Sequence, residues 1–187
     1  AALGARPFEF SPDGKLLATA DGAQLTLVDT AGKPALELAA TFDYVTAIAF
    51  SPNGKHLLSA SGTLGMSEVQ LWDIVAKKEL LKLGEGTGVA FLPTQVVLVV
   101  ANRAIRFHTL DGKRLASLTA ISGGDAGFAS AGEPTLYELV GNDAQARAAL
   151  CCRLGDAIYP FEVCSDTYEA AGIVSRASTG SAYHDEP

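Results

Sequence analysis

A six-residue phrase, Phe10-Ser11-Pro12-Asp13-Gly14-Lys15, returns forty residues later as Phe50-Ser51-Pro52-Asn53-Gly54-Lys55. A worn copy, Phe91-Leu92-Pro93-Thr94-Gln95, follows forty-one residues after that. No other feature constrains the fold as much, because a unit of about 40 residues cannot bury its own apolar faces and must stack on its neighbours. Each copy leads into one apolar stretch (16–20, 57–60, 96–101) and then a second (25–29, 69–73, 105–109). A turn follows at Ala31-Gly32-Lys33, Ala76-Lys77-Lys78 or Asp111-Gly112-Lys113, and a last short stretch completes the unit (35–38, 80–83, 115–118). These runs are too short for helices and are bounded by turn residues, so they read as strands. Within the phrase, proline pre-sets φ and Asp-Gly or Asn-Gly tolerates φ > 0, which makes it a tight reversal between two strands.

Four short strands and three turns per unit spell the blade of a β-propeller. The expected fold class is therefore all-β, a propeller of four-stranded blades. The second unit carries a closer likeness. Val45-Thr46-Ala47-Ile48-Ala49-Phe50-Ser51-Pro52-Asn53-Gly54, a strand at 57–61 and then Val69-Gln70-Leu71-Trp72-Asp73 resemble one WD40 repeat, with Trp72-Asp73 where that family places its eponymous dipeptide. The first unit has Asp21 at the acidic tight-turn position and Val28-Asp29 in place of Trp-Asp; the third has His108-Thr109 there. No unit opens with the Gly-His pair common in the family, so the resemblance implies an incomplete His–Ser/Thr–Asp–Trp hydrogen-bond network. His108 is expected to fill the structural Trp position and His56 to sit in a turn. Members of the family are mostly scaffolds that hold proteins together, and that role is what the likeness implies here.

Residues 1–122 thus divide into three WD40-like blades. A degenerate fourth is expected over 123–165, with strands at 126–130, 135–140, 145–152 and 157–163; a helix over 143–154 capped by Asn142 is the rival. Residues 166–187 begin a further blade, with Ile173 in its first strand, or form a flexible tail. Four to four and a half blades fall short of the about seven with which such propellers commonly close. The expectation is an incomplete propeller: part of a larger one, one completed by another chain or a second copy, or an arc capped by its own tail.

Composition narrows the partners. The net charge of −7 and pI near 4.9 argue against nucleic acid, which needs clustered Lys and Arg to displace counterions. No apolar run approaches the roughly 18 residues of a membrane span, and no signal-peptide pattern is visible. Cys151, Cys152 and Cys164 are too few and too oddly placed for a disulfide scaffold, so they read as reduced thiols and a cytoplasmic location is expected.

Candidate chemistry is sparse. Gly84-Glu85-Gly86-Thr87-Gly88 looks like a phosphate cradle, but such loops open a helix, and here the register places a strand next. A thiol nucleophile would pair Cys152 or Cys164 with His184 and Asp185, yet no local signature surrounds any of them. The cysteines lack metal-ligand spacing. No catalytic, cofactor or metal site is assigned, and no cofactor is expected. The leading expectation is a non-catalytic scaffold that binds another protein; the alternative is the propeller domain of a larger enzyme or receptor. Interaction residues are placed in the insertion of the second unit, Gly62, Thr63, Leu64, Gly65, Met66 and Ser67, which should bulge as a loop, and at Trp72 if it is exposed.

Overall fold

The computed structural model describes residues 7–120, 126–131, 136–141, 151–154, 157–160 and 172–181. The repeated phrase does locally what its chemistry dictates. In the first copy the Leu16 amide donates to Ser11 Oγ (2.9 Å), Ser11 Oγ donates to Asp13 Oδ1 (2.7 Å), and Gly14 turns at φ 69°. In the second, the His56 amide donates to Ser51 Oγ (2.9 Å), Ser51 Oγ donates to Asn53 Oδ1 (2.8 Å), and Gly54 repeats φ 69°. The worn third copy is one residue shorter, and Gln95 takes the left-handed conformation at φ 67° that glycine would adopt without strain.

Those reversals join the strands of three antiparallel sheets. Sheet one holds β1 (Phe8–Phe10), β2 (Leu16–Asp21), β3 (Gln24–Asp29) and β4 (Pro34–Ala39) in sequential order. Sheet two holds β5 (Tyr44–Phe50), β6 (His56–Thr63), β7 (Met66–Asp73) and β8 (Lys78–Lys82), again sequential. Sheet three opens with β9 (Gly88–Phe91), β10 (Val97–Ala101), β11 (Ala104–His108) and β12 (Arg114–Ala120). The first strands, β1, β5 and β9, lie side by side, so the sheets fan out from a common inner edge. That is the arrangement of propeller blades, and the fold is all-β and propeller-like.

Sheet two is buried on both faces. Val45, Phe50, Leu57 and Trp72 meet Ala18, Ala20, Leu25, Leu27 and Leu38 of sheet one. The alternate residues Leu58, Ala60, Val69 and Leu71 meet Val97 and Val99 of sheet three. This is why β6 reads as a nearly unbroken buried run instead of an alternating one.

Past Ala120 the structure departs from expectation. Strands do occur at β13 (Ala126–Ala131), β14 (Leu136–Gly141), β15 (Cys151–Leu154) and β16 (Ala157–Pro160). They do not gather into one sheet: β13 pairs with the outer edge of β12 and β14 with β13, giving sheet three six strands, while β15 and β16 pair with each other. Ala129 and Ala131 are buried beside Phe107, Leu115 and Ala116, so β13 prolongs the far face of sheet three. Cys151–Leu154 is strand, against the rival helix; residues 142–150 lie outside the described residues. The strand expected from Ile173 is instead a helix, α1 (Ile173–Ser178). Ile173 and Ala177, one helical turn apart, are both buried against that far face, and Gly172 at φ 81° lets the chain enter.

Cross-strand register places three residues in one structural slot: Val28 opposite Leu17, Trp72 opposite Leu57, and His108 opposite Val97. Trp72 Nε1 donates to Ser59 Oγ at 2.9 Å in the buried seam, so the Trp–Ser part of the family network is formed. Val99 stands where sheet two has Ser59, and His108 has no equivalent bond. Its Nδ1 is 3.3 Å from the Gly112 carbonyl and its buried Nε2 has no partner among the described residues. Burial pushes the His108 pKa down, with Arg114 and Arg106 adding to the effect and the Gly112 carbonyl opposing it. The unfolded imidazole, ordinarily near pH 6.5, then binds its proton more readily than the folded one. Stability is complete above about pH 6.5 and falls as the pH drops below it. Urea midpoints should therefore be lower at pH 5 than at pH 7, and His108→Phe should shrink that difference; an unchanged difference would exclude His108 as its source.

Candidate interaction surface

The sheets present their β2–β3, β6–β7 and β10–β11 turns at one end, together with the connections between sheets. In sheet two this end is built up. β6 and β7 run eight residues each, against six in β2 and β3 and five in β10 and β11. The insertion is therefore not a loop, as expected, but an extension of the hairpin. Gly62 and Thr63 pair with Ser67 and Met66, because alternating pairing continues to the tip and leaves only Leu64 and Gly65 unpaired. Both turn residues have positive φ, 39° and 90°. Such two-residue turns match the strand twist and favour Asn-Gly. Sheet three follows the preference with Asn102 (φ 47°) in the corresponding position.

Leu64 does not. It occupies a strained conformation and its side chain is fully exposed (101%). Tyr44 (66% exposed) and Met66 (58%) accompany it around a cavity of about 430 Å³. Tyr44 pairs directly across from Gly62, where a Cβ would lie 3.0 Å from the Met66 carbonyl oxygen. Thr46, Glu85, Thr87 and Asn102 line the remainder, drawn from β5, the sheet two–three connection and the β10–β11 turn.

Hydrogen bonds fix this surface from below. Thr63 Oγ1 donates to Asp43 Oδ2 (3.1 Å), and the Gly86 amide donates to Ser67 Oγ (3.1 Å). Thr46 Oγ1 lies 3.2 Å from the carbonyls of both Ala60 and Thr87. Beneath them, buried Gln70 accepts from the Thr41 amide (2.9 Å) and donates to Glu79, pinning the chain where it crosses from sheet one to sheet two. Lys82 Nζ reaches Glu68 at 2.7 Å and Thr41 Oγ1 at 3.0 Å. Burial opposes charge on Glu68, but the bonds from Lys82 and Thr41 prevail and lower its pKa.

The remaining candidates fall elsewhere. Trp72 is buried between sheets one and two, so it is a core residue that no partner can touch, and it leaves the candidate surface. Gly84 to Gly88 runs into β9 with no helix after it. Cys151 and Cys152 sit in β15, while Cys164, His184 and Asp185 lie outside the described residues. Among the described residues no group of three His, Cys, Asp or Glu could hold a metal, and no helix is long and apolar enough to cross a membrane. Tyr44, Glu85 and Asn102 are additions that the repeat gave no reason to single out.

Comparison with known proteins agrees with the architecture. Residues 32–64 match the family described as WD domain, G-beta repeat. The matched segment begins before β4 of sheet one and runs through β5 and β6 of sheet two, so one sequence repeat ties two sheets together. No curated protein matches the chain in sequence. Among solved structures 723 chains match. One is similar at a TM-score of 0.50 and 18% identity, over 75% of this chain and 46% of its own: the hydrazine synthase of Kuenenia stuttgartiensis. The chain spans less than half of that protein, and at this identity the likeness is one of fold. Residues 32–64 thus match a WD40 repeat, within a chain whose fold is all-β and propeller-like.

Proposed function

We propose that this chain is a non-catalytic WD40-type scaffold, and that the β6–β7 tip is a surface on which it holds another protein. The observation that carries the reading is Leu64. A leucine in a left-handed turn costs about 1–2 kcal/mol in backbone strain. Its fully exposed side chain forgoes roughly 1.5–3 kcal/mol that burial would return. Folding alone would favour asparagine there, as sheet three has it. A partner that covers Leu64, Tyr44 and Met66 supplies the missing burial, and the hydrogen-bonded floor fixes the backbone that carries them before it arrives. The partner's matching feature is an apolar side chain of a size to enter the cavity.

Leu64→Asn separates stability from function. The variant should be more stable than the parent by about 0.5–1 kcal/mol, since asparagine relieves the turn. It should also lose partner co-purification, and Tyr44→Ser with Met66→Ser should lose the same partner without unfolding. Retention of that partner by all these folded variants would contradict the proposal.

A further inference from the structure

Sheet three repeats a polar corner of sheet two with its chemistry changed. In sheet two Trp72 lies across the ladder from Glu79, and Gln70, two residues earlier on the same face, bonds both Glu79 and the Thr41 amide. In sheet three the same positions are His108, across from Arg114, and Arg106 two residues earlier. Arg106 keeps one duty of Gln70: its Nη1 donates to the Glu85 carbonyl at 3.3 Å, in the connection between sheets two and three. The other duty is gone, because an arginine stands where the acid was. Two guanidiniums and an imidazole thus share one face, and among the described residues no carboxylate bonds or ion-pairs with any of them.

Like charges on neighbouring strands repel. The imidazole is also poorly served. His108 is 6% exposed, and its Nδ1 faces the Gly112 carbonyl, which can only accept. The neutral ring therefore carries its proton on Nδ1 and leaves the buried Nε2 with a lone pair and no partner among the described residues. Hydroxyls continue the Arg106 row: Ser117 pairs across from Arg106 and Ser130 across from Ser117. Both serines are half-buried, and neither hydroxyl bonds a described residue. Arg114 is exposed, which leaves an approach from solvent.

We propose that Arg106, His108 and Arg114 bind an inorganic tetrahedral oxyanion, sulfate or phosphate, on the face of sheet three turned toward sheet two. Guanidinium forks give such an anion short, charge-assisted bonds, and the serine hydroxyls add donors beside them. The anion binds together with a proton. Protonated Nε2 becomes a donor to it, and the anion offsets a third positive charge that Arg114 and Arg106 otherwise oppose. Other charges near this end are engaged elsewhere. Asp111 accepts from Thr109 beside Lys113 in the β11–β12 turn, and Asp73 accepts from the Ala76 amide beside Lys78 and His56. Glu79, Glu68 and Lys82 meet Gln70 and Thr41, while the part of sheet two packed on this face is apolar, with Leu58, Leu71, Leu81 and Leu83. The site is separate from the surface at Leu64, so each reading can fail alone.

The probe is sulfate, whose charge is constant across the pH range used, exchanged for chloride at fixed ionic strength. The chain has three histidines, so the ring-proton NMR signal of His108 is assigned by its loss in His108→Phe. Sulfate should raise the pH at which that signal titrates and leave the His56 signal in place. Sulfate affinity measured by calorimetry should strengthen as the pH falls, toward the limit of about tenfold per pH unit set by uptake of one proton. Arg114→Gln, at an exposed side chain, should weaken both effects. Arg106→Gln with Arg114→Gln should abolish them and raise the His108 titration point without sulfate. A His108 signal that sulfate does not move, or moves equally in the folded Arg114→Gln chain, would overturn the proposal. An equal shift with acetate would also overturn it, since the site would then take carboxylates.

Discussion

Trp72→Ala is expected to lower the stability of the protein by about 3–5 kcal/mol, as removal of a fully packed large side chain from a core does. The indole lies between Phe50 and Leu57 on its own sheet and the Ala and Leu row of sheet one, so its loss opens a cavity in a seam closed from both sides. The cavity cannot be filled from below, because Ala18 and Ala20 have no reach. A second contribution is polar. Ser59 Oγ loses its donor in a site with no solvent, which costs about 1–3 kcal/mol by itself. Trp72→Phe should isolate that part. Trp72 is the single tryptophan of the chain, so unfolding should be followed by circular dichroism in urea. A loss below about 1 kcal/mol for Trp72→Ala would mean that the two sheets do not share this seam.

Gly86→Ala is expected to cost about 1–3 kcal/mol by overpacking, and Gly86→Val more. A methyl group at Gly86 would meet Val99 Cγ1 at 2.5 Å and Val69 Cγ2 at 2.7 Å. Both valines are buried and branched at Cβ, so neither can swing aside. The Val100 carbonyl, 3.4 Å away, closes the remaining direction. Gly86 therefore serves as a wedge point at which the sheet two–three connection passes between the sheets, and the glycine-rich spelling of 84–88 follows from packing. Val99→Ala should rescue part of the loss. The cycle of Gly86→Ala with Val99→Ala should show coupling of about 0.5 kcal/mol or more, whereas additive effects would mean that the two positions do not touch.

The parts of the fold that were legible in the sequence are those set by short-range chemistry. Ser11 and Ser51 each bond the amide five residues on and the side chain two residues on, and that local geometry is written in the phrase itself. The slot shared by Val28, Trp72 and His108 was legible for the same reason, since strand and turn lengths fix the register once the reversals are placed. The addition of β13 and β14 to sheet three was not. Nothing in Ala126–Ala131 specifies its neighbour, and the choice was made by Phe107, Leu115 and α1 closing over Ala129 and Ala131. Ile173 began an apolar run too short to reveal its period, and the contact with sheet three decided for a helix. The candidate surface divides in the same way. Its hairpin showed as surplus residues between two repeats, although paired to the tip and not looped. Tyr44, Glu85 and Asn102 come to it from three other segments, joined only by stacking, and carry no local mark. Trp72 went the other way, into the core, because its register position faces sheet one.

The reading of the β6–β7 tip as a partner surface can be tested at one atom's remove. A photo-crosslinking residue is placed at position 64, and separately at position 75, where the exposed Val75 follows the opposite end of β7. On irradiation in the native host, position 64 is predicted to give a discrete crosslinked adduct with another protein that position 75 does not give. No adduct at 64, or the same adducts at both positions, would contradict the account.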